Sequence, residues 1–203
     1  MRVLVGCEYS GIVRDAFRAR GHDAWSCDLL PSEADPRWHI QGDVLAVLDD
    51  TWDLAIFHPP CTYLSSSGMH WTTRGLRDPQ LTEDALVFVS ALLAAPIPRI
   101  ALENPIGCIS TRIRKPDQII QPWWFGDDAS KKTCLWLKNL PMLQETNRLP
   151  GDDKTRRANQ TPSGQNKLGP SPTRWKVRSA TYPGIANAMA DQWGQLKEVK
   201  YDQ

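Results

Sequence analysis

The 203-residue sequence predicts one α/β domain with a mostly parallel central sheet and helices on both faces. Three observations lead there. Short apolar runs such as "RVLVG", "DLAIF" (Asp53 to Phe57) and "RIAL" read as buried strands. Amphipathic segments of helical period alternate with them. Unusual polar residues follow the runs, where parallel sheets carry their ligands.

The elements follow in order. "MRVLVGC" is a strand. "SGIVRDAFRARG" is a helix with Ser10 as its expected N-cap, Ile12, Val13, Ala16 and Phe17 on one face, and Gly21 ending it. "HDAWSCDLL" is a strand ending at Asp28. "GDVLAVLDD" sets Asp43 just before a short helical turn. "WDLAIFHPP" is a third strand. "LTEDALVFVSALLAAP" is the clearest helix, with Thr82 as expected cap and Ala85, Leu86, Val89, Leu92 and Leu93 toward the core. "RIALENP" is a strand stopped by proline, and "KKTCLWLK" another. Residues 138–180 are polar and proline-rich, broken by Gly151, Gly164 and Gly169, and are expected to be mostly irregular. "YPGIANAMADQWGQLKEVK" closes the chain as a helix with Ile185, Met189, Trp193 and Leu196 on one stripe. There is no internal repeat.

Composition narrows the function. Five cysteines (Cys7, Cys27, Cys61, Cys108, Cys134) form no close pair, and no leader pattern is seen. A reducing cytoplasm without disulfides is expected. The four histidines lack ligand spacing with the cysteines, so no metal is expected. No apolar stretch is long enough for a membrane span. The net charge of +1 hides an asymmetry. Residues 1–130 carry 11 Lys+Arg against 17 Asp+Glu, and residues 131–178 carry 11 against 3. A basic segment on an acidic body points to a phosphate-bearing partner; the bland alternative is a solvated loop.

Five groups fall just after predicted strands: Glu8 to Gly11, Asp28, Asp43, Pro59-Pro60-Cys61 and Glu103-Asn104. Asp28 is placed to accept from both hydroxyls of a ribose, and Asp43 from an adenine amino group. The turn from Cys7 to Gly11 leads into a helix, where backbone donors meet a ligand, although the G-x-G-x-x-G fingerprint is absent. Each acid alone is more often a cap or turn residue. Four of the cysteines, Cys7 included, read as small core residues. Cys61 does not: two prolines set the backbone before it and "TYLSSSG" after it is polar and turn-like. A rigidly presented thiolate is a strong nucleophile. Glu103 is expected to be desolvated with a raised pKa, able to donate as well as accept a proton.

The set resembles the cytosine carbon-5 methyltransferases, which use S-adenosylmethionine. "PPC" (Pro59 to Cys61) resembles their proline-cysteine motif, "ENP" (Glu103 to Pro105) their Glu-Asn-Val motif, and "VGCEYSGIVRDAFRARGH" their first motif. Asp28 and Asp43 match the acids that hold ribose and adenine, and "YPGIANAMA" resembles the last motif. The order is the family's, over roughly residues 1–137 and 181–195. The resemblance implies the Rossmann-like class I methyltransferase fold. It implies a catalytic domain of residues 1–137 and 181–203, interrupted by a short basic insert, 138–180, in place of a target-recognition domain.

It also implies roles. Cys61 would add to carbon 6 of cytosine, Glu103 would stabilise ring nitrogen 3, and Asn104 would brace the turn containing Pro60. Cys7, Glu8, Tyr9, Ser10, Gly11, Asp28, Asp43, Val44, Pro59 and Asn187 would hold the cofactor. Ser65, Ser66, Ser67, Lys131, Arg174 and Arg178 would hold substrate. The family's glutamine-arginine-arginine cluster is replaced by "SKKTCLWL", so Lys131 and Lys132 stand in for it without the guanidinium fork. Glu8 and Tyr9 occupy positions where small residues are common. The partner is then DNA, gripped through Arg156, Arg157, Lys167, Arg174, Lys176 and Arg178, with no membrane and no metal. The short chain resembles phage or mobile-element enzymes of the bacterial cytoplasm. Three alternatives stay open: a methyltransferase of free deoxycytidine nucleotides, a binding or regulatory protein that keeps only the fold, and an amino-group methyltransferase, whose Asp/Ser-Pro-Pro-Tyr motif "HPPCTYL" partly resembles.

Overall fold

The computed structural model describes residues 1–196. It has seven strands: β1 (Arg2–Gly6), β2 (Asp23–Asp28), β3 (His39–Gln41), β4 (Leu54–Phe57), β5 (Arg99–Pro105), β6 (Gln118–Ile120) and β7 (Thr133–Lys138). They form one sheet in the order β3-β2-β1-β4-β5-β7-β6. The five strands from β3 to β5 are parallel, and β7 runs antiparallel to both β5 and β6. This is the predicted Rossmann-like α/β class. The strand order reverses between β1 and β4, the crevice where such sheets hold ligands.

Helices cover both faces. On one lie α1 (Ile12–Arg18) and α6 (Pro183–Gly194), whose Val13, Phe17, Ile185, Met189 and Trp193 pack on Val3, Val5, Leu54, Ile56 and Ala101. On the other lies α3 (Gln80–Ala94), whose Leu86, Val89 and Leu92 pack on Leu4, Ala55, Phe57, Ile100 and Leu102. The alternation of strand residues between these cores is the period-2 pattern of a sheet buried on both sides. Leu196 also packs on the first core; the remainder of the predicted closing helix, residues 197–200, lies outside the described residues.

Three short α-helices, α2 (Ser66–Thr73), α4 (Ile109–Arg112) and α5 (Arg174–Ser179), and three 3-10 turns, Pro36–Trp38, Val44–Val47 and Pro122–Trp124, complete the described elements. Residues 139–173 contain neither helix nor strand. Two expected caps are corrected. The N-cap of α1 is Gly11, at φ 76°, and not Ser10. Ile12 N donates weakly to Ser10 Oγ at 3.4 Å, and the next two N–H groups are taken by the Glu8 carboxylate, which accepts from Val13 N at 2.7 Å and Arg14 N at 3.3 Å. A longer side chain reaching back from before the turn thus takes over most of the capping, with the Ser10 hydroxyl left the first N–H alone. Likewise α3 begins at Gln80, so Thr82 lies within it, 2 % exposed, and donates to Tyr63 O at 3.2 Å.

Candidate active site

The carboxyl ends of the parallel strands bring the predicted groups to one edge. The alternation of β4 and β5 then sorts them. Phe57 and Leu102 are register partners on the α3 face. The next residue on each strand turns to the opposite face, so His58 meets Glu103, with Nδ1 3.1 Å from Oε2. One position further, Asn104 Nδ2 donates to Pro59 O at 2.8 Å. Adjacent residues of "EN" therefore serve opposite faces: the acid meets a histidine, and the amide ties the Pro59–Cys61 turn to β5.

The loop after Cys61 is fastened to the chain after β5 a second time. Ser66 N donates to Ile106 O at 3.0 Å and Cys108 N to Leu64 O at 2.8 Å. A Cβ at Gly107 would collide with the carbonyl of Leu64, so only glycine permits this approach. Ser65 is buried and caps α2 by accepting from Gly68 N at 3.2 Å. Ser66 donates to Ile106 O at 3.0 Å, and Ser67 is exposed within 3.3 Å of Ser65 Oγ.

Cys61 is exposed at the rim. Desolvation by the surrounding protein, then the Glu103 charge, pushes its thiol up; Lys131 and Arg178 act the other way. Burial likewise pushes Cys27 up to about 11 and raises Cys7, whose backbone is left-handed at φ 59°.

Glu103 corrects an expectation. Burial does act to raise its carboxyl and is the largest single influence, but Lys131, the His58 hydrogen bond and charge, and Thr133 together outweigh it. The result lies below the ordinary glutamate value, so Glu103 is ionised at rest. Lys131 reaches this edge because β7 runs backwards: the residues that precede it sit where those that follow the parallel strands sit. Lys131 Nζ also donates to Arg178 O at 3.0 Å. Lys132 points elsewhere and pairs with Asp153 at 2.9 Å.

On the α3 face a cavity of about 420 Å³ opens beside the turn. It is lined by Cys7, Asp28, Asp43, Val44, Leu45, Pro60, Tyr63, Leu81, Ala85 and Phe88 among others. Asp28 and Asp43 are each braced by a backbone N–H two residues on, from Leu30 and Leu45, both at 2.9 Å. Burial pushes the Asp28 carboxyl up, against the Leu30 N–H and His39. Two strand-end carboxylates beside an apolar slot of Val44, Leu45, Ala85 and Phe88 fit a nucleoside. A second cavity of about 30 Å³ lies between Cys7, Glu8, Tyr9, Ser10, His58 and Ser179 to Thr181. Tyr9 closes it, with its hydroxyl 3.0 Å from Ser179 Oγ and 3.2 Å from Lys176 O.

Some predicted residues lie elsewhere. Asn187 is exposed on α6 and accepts from Arg20 Nη1 at 3.2 Å, away from both cavities. Arg157 is 5 % exposed and stacks over Trp123 at 4.4 Å, so it cannot grip an external phosphate. Lys176 pairs with Glu33 at 2.8 Å, and Arg174 is half-buried. Arg156, Lys167 and Arg178 are exposed. Sequence reading passed over His58, whose only signal was its place ahead of "PPC", and over Tyr63 and Phe88. Among the described residues no cluster of His, Cys, Asp and Glu is arranged to hold a metal ion, and no helix is long and apolar enough to cross a membrane.

No protein-family model matches the chain, and no curated protein matches it. Among solved structures, one from E. coli is described as a proposed DNA modification methyltransferase encoded within a prophage. It aligns at 15 % identity with a TM-score of 0.37, covering 68 % of this chain and 46 % of its own. The present chain thus spans less than half of that protein.

Proposed function

We propose that the protein is an S-adenosylmethionine-dependent methyltransferase acting on carbon 5 of cytosine in DNA through a covalent bond to Cys61. The observation that carries this reading is the convergence of the Cys61 thiol, the Glu103 carboxylate and Lys131 at one strand edge, beside a cavity with two strand-end carboxylates. Asp28 and Asp43 would hold the ribose and adenine of the cofactor, and Val44 and Pro60 would flank them. When bound, the cofactor supplies the methyl group on a sulfonium.

The chain's own residues do the rest. Carbon 5 of cytosine is a poor nucleophile until a thiolate adds at carbon 6. Lys131 and Arg178 favour that thiolate, while its surroundings oppose it. Addition places negative charge on ring nitrogen 3, which a protonated Glu103 would neutralise. Asn104 holds the Pro59–Cys61 turn so that the thiol approaches one face of the ring. Residues 138–180 occupy the place of a target-recognition domain. Irregular and carrying exposed Lys154, Arg156, Lys167 and Arg178, they suit backbone contact over the reading of a long site.

The test is duplex DNA carrying 5-fluorocytosine, incubated with the methyl donor. Fluorine blocks the final elimination, so an adduct on Cys61 is expected; intact protein mass without adduct rejects the reading. Activity on DNA should fall steeply with salt. A second reading, transfer to a free deoxycytidine nucleotide, is favoured by the internal engagement of Arg157 and Lys176, which leaves a grip better sized to one phosphate. Labelled transfer to the mononucleotide but not to DNA would select it.

A further inference from the structure

Glu103 presents a difficulty that the reading above leaves unsolved. The group asked to give a proton to ring nitrogen 3 is ionised at rest, held down by Lys131 and His58. A source of that proton must lie within the protein or the substrate. His58 is the only imidazole among the described residues bonded to this carboxylate, at 3.1 Å, with both side chains about nine-tenths buried. Its other nitrogen, Nε2, is buried and has no protein partner. The 30 Å³ cavity that His58 lines with Glu8, Tyr9 and Ser179 has room for a water. That cavity gives the imidazole a route for proton entry separate from the substrate.

We propose that His58 is a proton-relay and positioning residue for Glu103, donating through Nδ1 to the carboxylate as the substrate ring is attacked. The proposal rests on the cytosine reading for its substrate, and on the His58–Glu103 contact for its geometry. The Cys61 thiol proton leaves to solvent at the open rim. The thiolate electron pair forms the sulfur–carbon 6 bond, the carbon 5–carbon 6 double bond moves to carbon 4–carbon 5, and the carbon 4–nitrogen 3 π pair moves onto ring nitrogen 3. Glu103, ionised at rest, takes a proton from protonated His58 Nδ1 and passes it to that nitrogen, so that Glu103 ends ionised and His58 neutral. On elimination each step reverses and the borrowed proton returns through Glu103 to His58.

The arrangement couples two events. A proton on Glu103 removes the negative charge that raises the Cys61 thiol, so the same transfer that readies the acid also favours the nucleophile. The charged and titratable groups around this pair are Glu8 from the turn after β1, Cys61 from the turn after β4, Lys131 ahead of β7, and Arg178 at the end of α5.

The test uses the protein without methyl donor. Reversible addition at carbon 6 exchanges the carbon 5 hydrogen, so deuterium incorporation into duplex DNA or deoxycytidine monophosphate reports the relay directly. His58→Asn keeps a donor to Glu103 but cannot move a proton. Exchange is expected to fall roughly 100-fold, and its pH profile to lose the limb that reports the imidazole. In parallel, carboxyl carbon NMR of Glu103 should show its titration midpoint rising in His58→Asn, because the imidazole charge no longer holds it down. A merely structural histidine would be rescued by asparagine in the exchange measurement. An exchange rate and pH profile equal to wild type, or an unmoved Glu103 midpoint, overturns the proposal. If the wild-type protein exchanges neither substrate, the cytosine reading fails. The Glu103 midpoint then decides alone: unmoved, it overturns the relay, and raised, it supports a relay serving another substrate.

Discussion

Glu8 and Glu103 stand at the same edge of the sheet, are 5 % and 8 % exposed, and both feel the His58 imidazole, yet their protons behave oppositely. Desolvation is the largest influence on both. At Glu8 it prevails over His58, the Val13 and Arg14 N–H groups and the Arg14 charge, and the carboxyl is raised. At Glu103 Lys131, His58 and Thr133 prevail, and it is lowered. Burial therefore does not decide the charge state of an acid in this protein; the partners that each turn supplies decide it. Glu8 serves the fold by capping α1, and Glu103 lies close enough for its charge to raise the Cys61 thiol.

Substitutions can break this contrast, starting with the largest effect. Cys61→Ala should abolish the covalent adduct and lower turnover at least ~10³-fold, read by intact mass and labelled methyl transfer; wild-type turnover would remove the thiol from the chemistry. Glu103→Gln should slow addition by roughly 10²–10³-fold. It should also make Cys61 more reactive toward iodoacetamide at neutral pH, since the charge that raises the thiol is gone. Slower alkylation would show that Glu103 does not face the sulfur. Lys131→Met should do the reverse, slowing alkylation and raising the Glu103 midpoint.

Stability against pH sharpens the same comparison. Glu103 is lowered on folding, so its stabilisation is present above the unfolded value near 4.5 and is lost as pH falls through its folded value. In Lys131→Met that loss should begin at a higher pH, as denaturant midpoints between pH 7 and pH 3 would show. Glu8 is raised on folding, so its contribution is complete below the same unfolded value and is lost as pH rises through its folded value. Glu8→Gln should remove that dependence. Its amide oxygen can still accept from Val13 N, so the loss at low pH should be the smallest effect, about 1 kcal/mol, the scale of a helix cap.

Much of this was legible in the sequence. Apolar runs marked β1, β2, β4, β5 and β7, and the strand-end rule collected Asp28, Asp43, Cys61 and Glu103 before any coordinates. What escaped shares a cause. β3 and β6 are three residues each, too short for alternation to register. The capping of α1 depends on a side chain folding back, and Ser10 offered the stronger local signal. The charge state of Glu103 depends on Lys131, 28 residues away and brought near only by a reversed strand. His58 was silent because a single histidine at a strand end has no pattern of its own. Local period writes the elements; charge partners are set by which strands become neighbours.

The tethering of residues 160–173 has a further consequence. Just before this stretch, Asn159 exchanges hydrogen bonds with Ser130, at 2.9 and 3.0 Å. Just after it, α5 is pinned through Tyr9 and Glu33. Both anchors stand close to Lys131 and would hold whatever is spliced between them. Because closing a longer loop costs only about 0.6 kcal/mol per doubling, an entire folded module could be grafted there while the sheet edge stays in register. The molecule is in that sense a socket, and its present short plug is a choice of length that selection or design is free to revise.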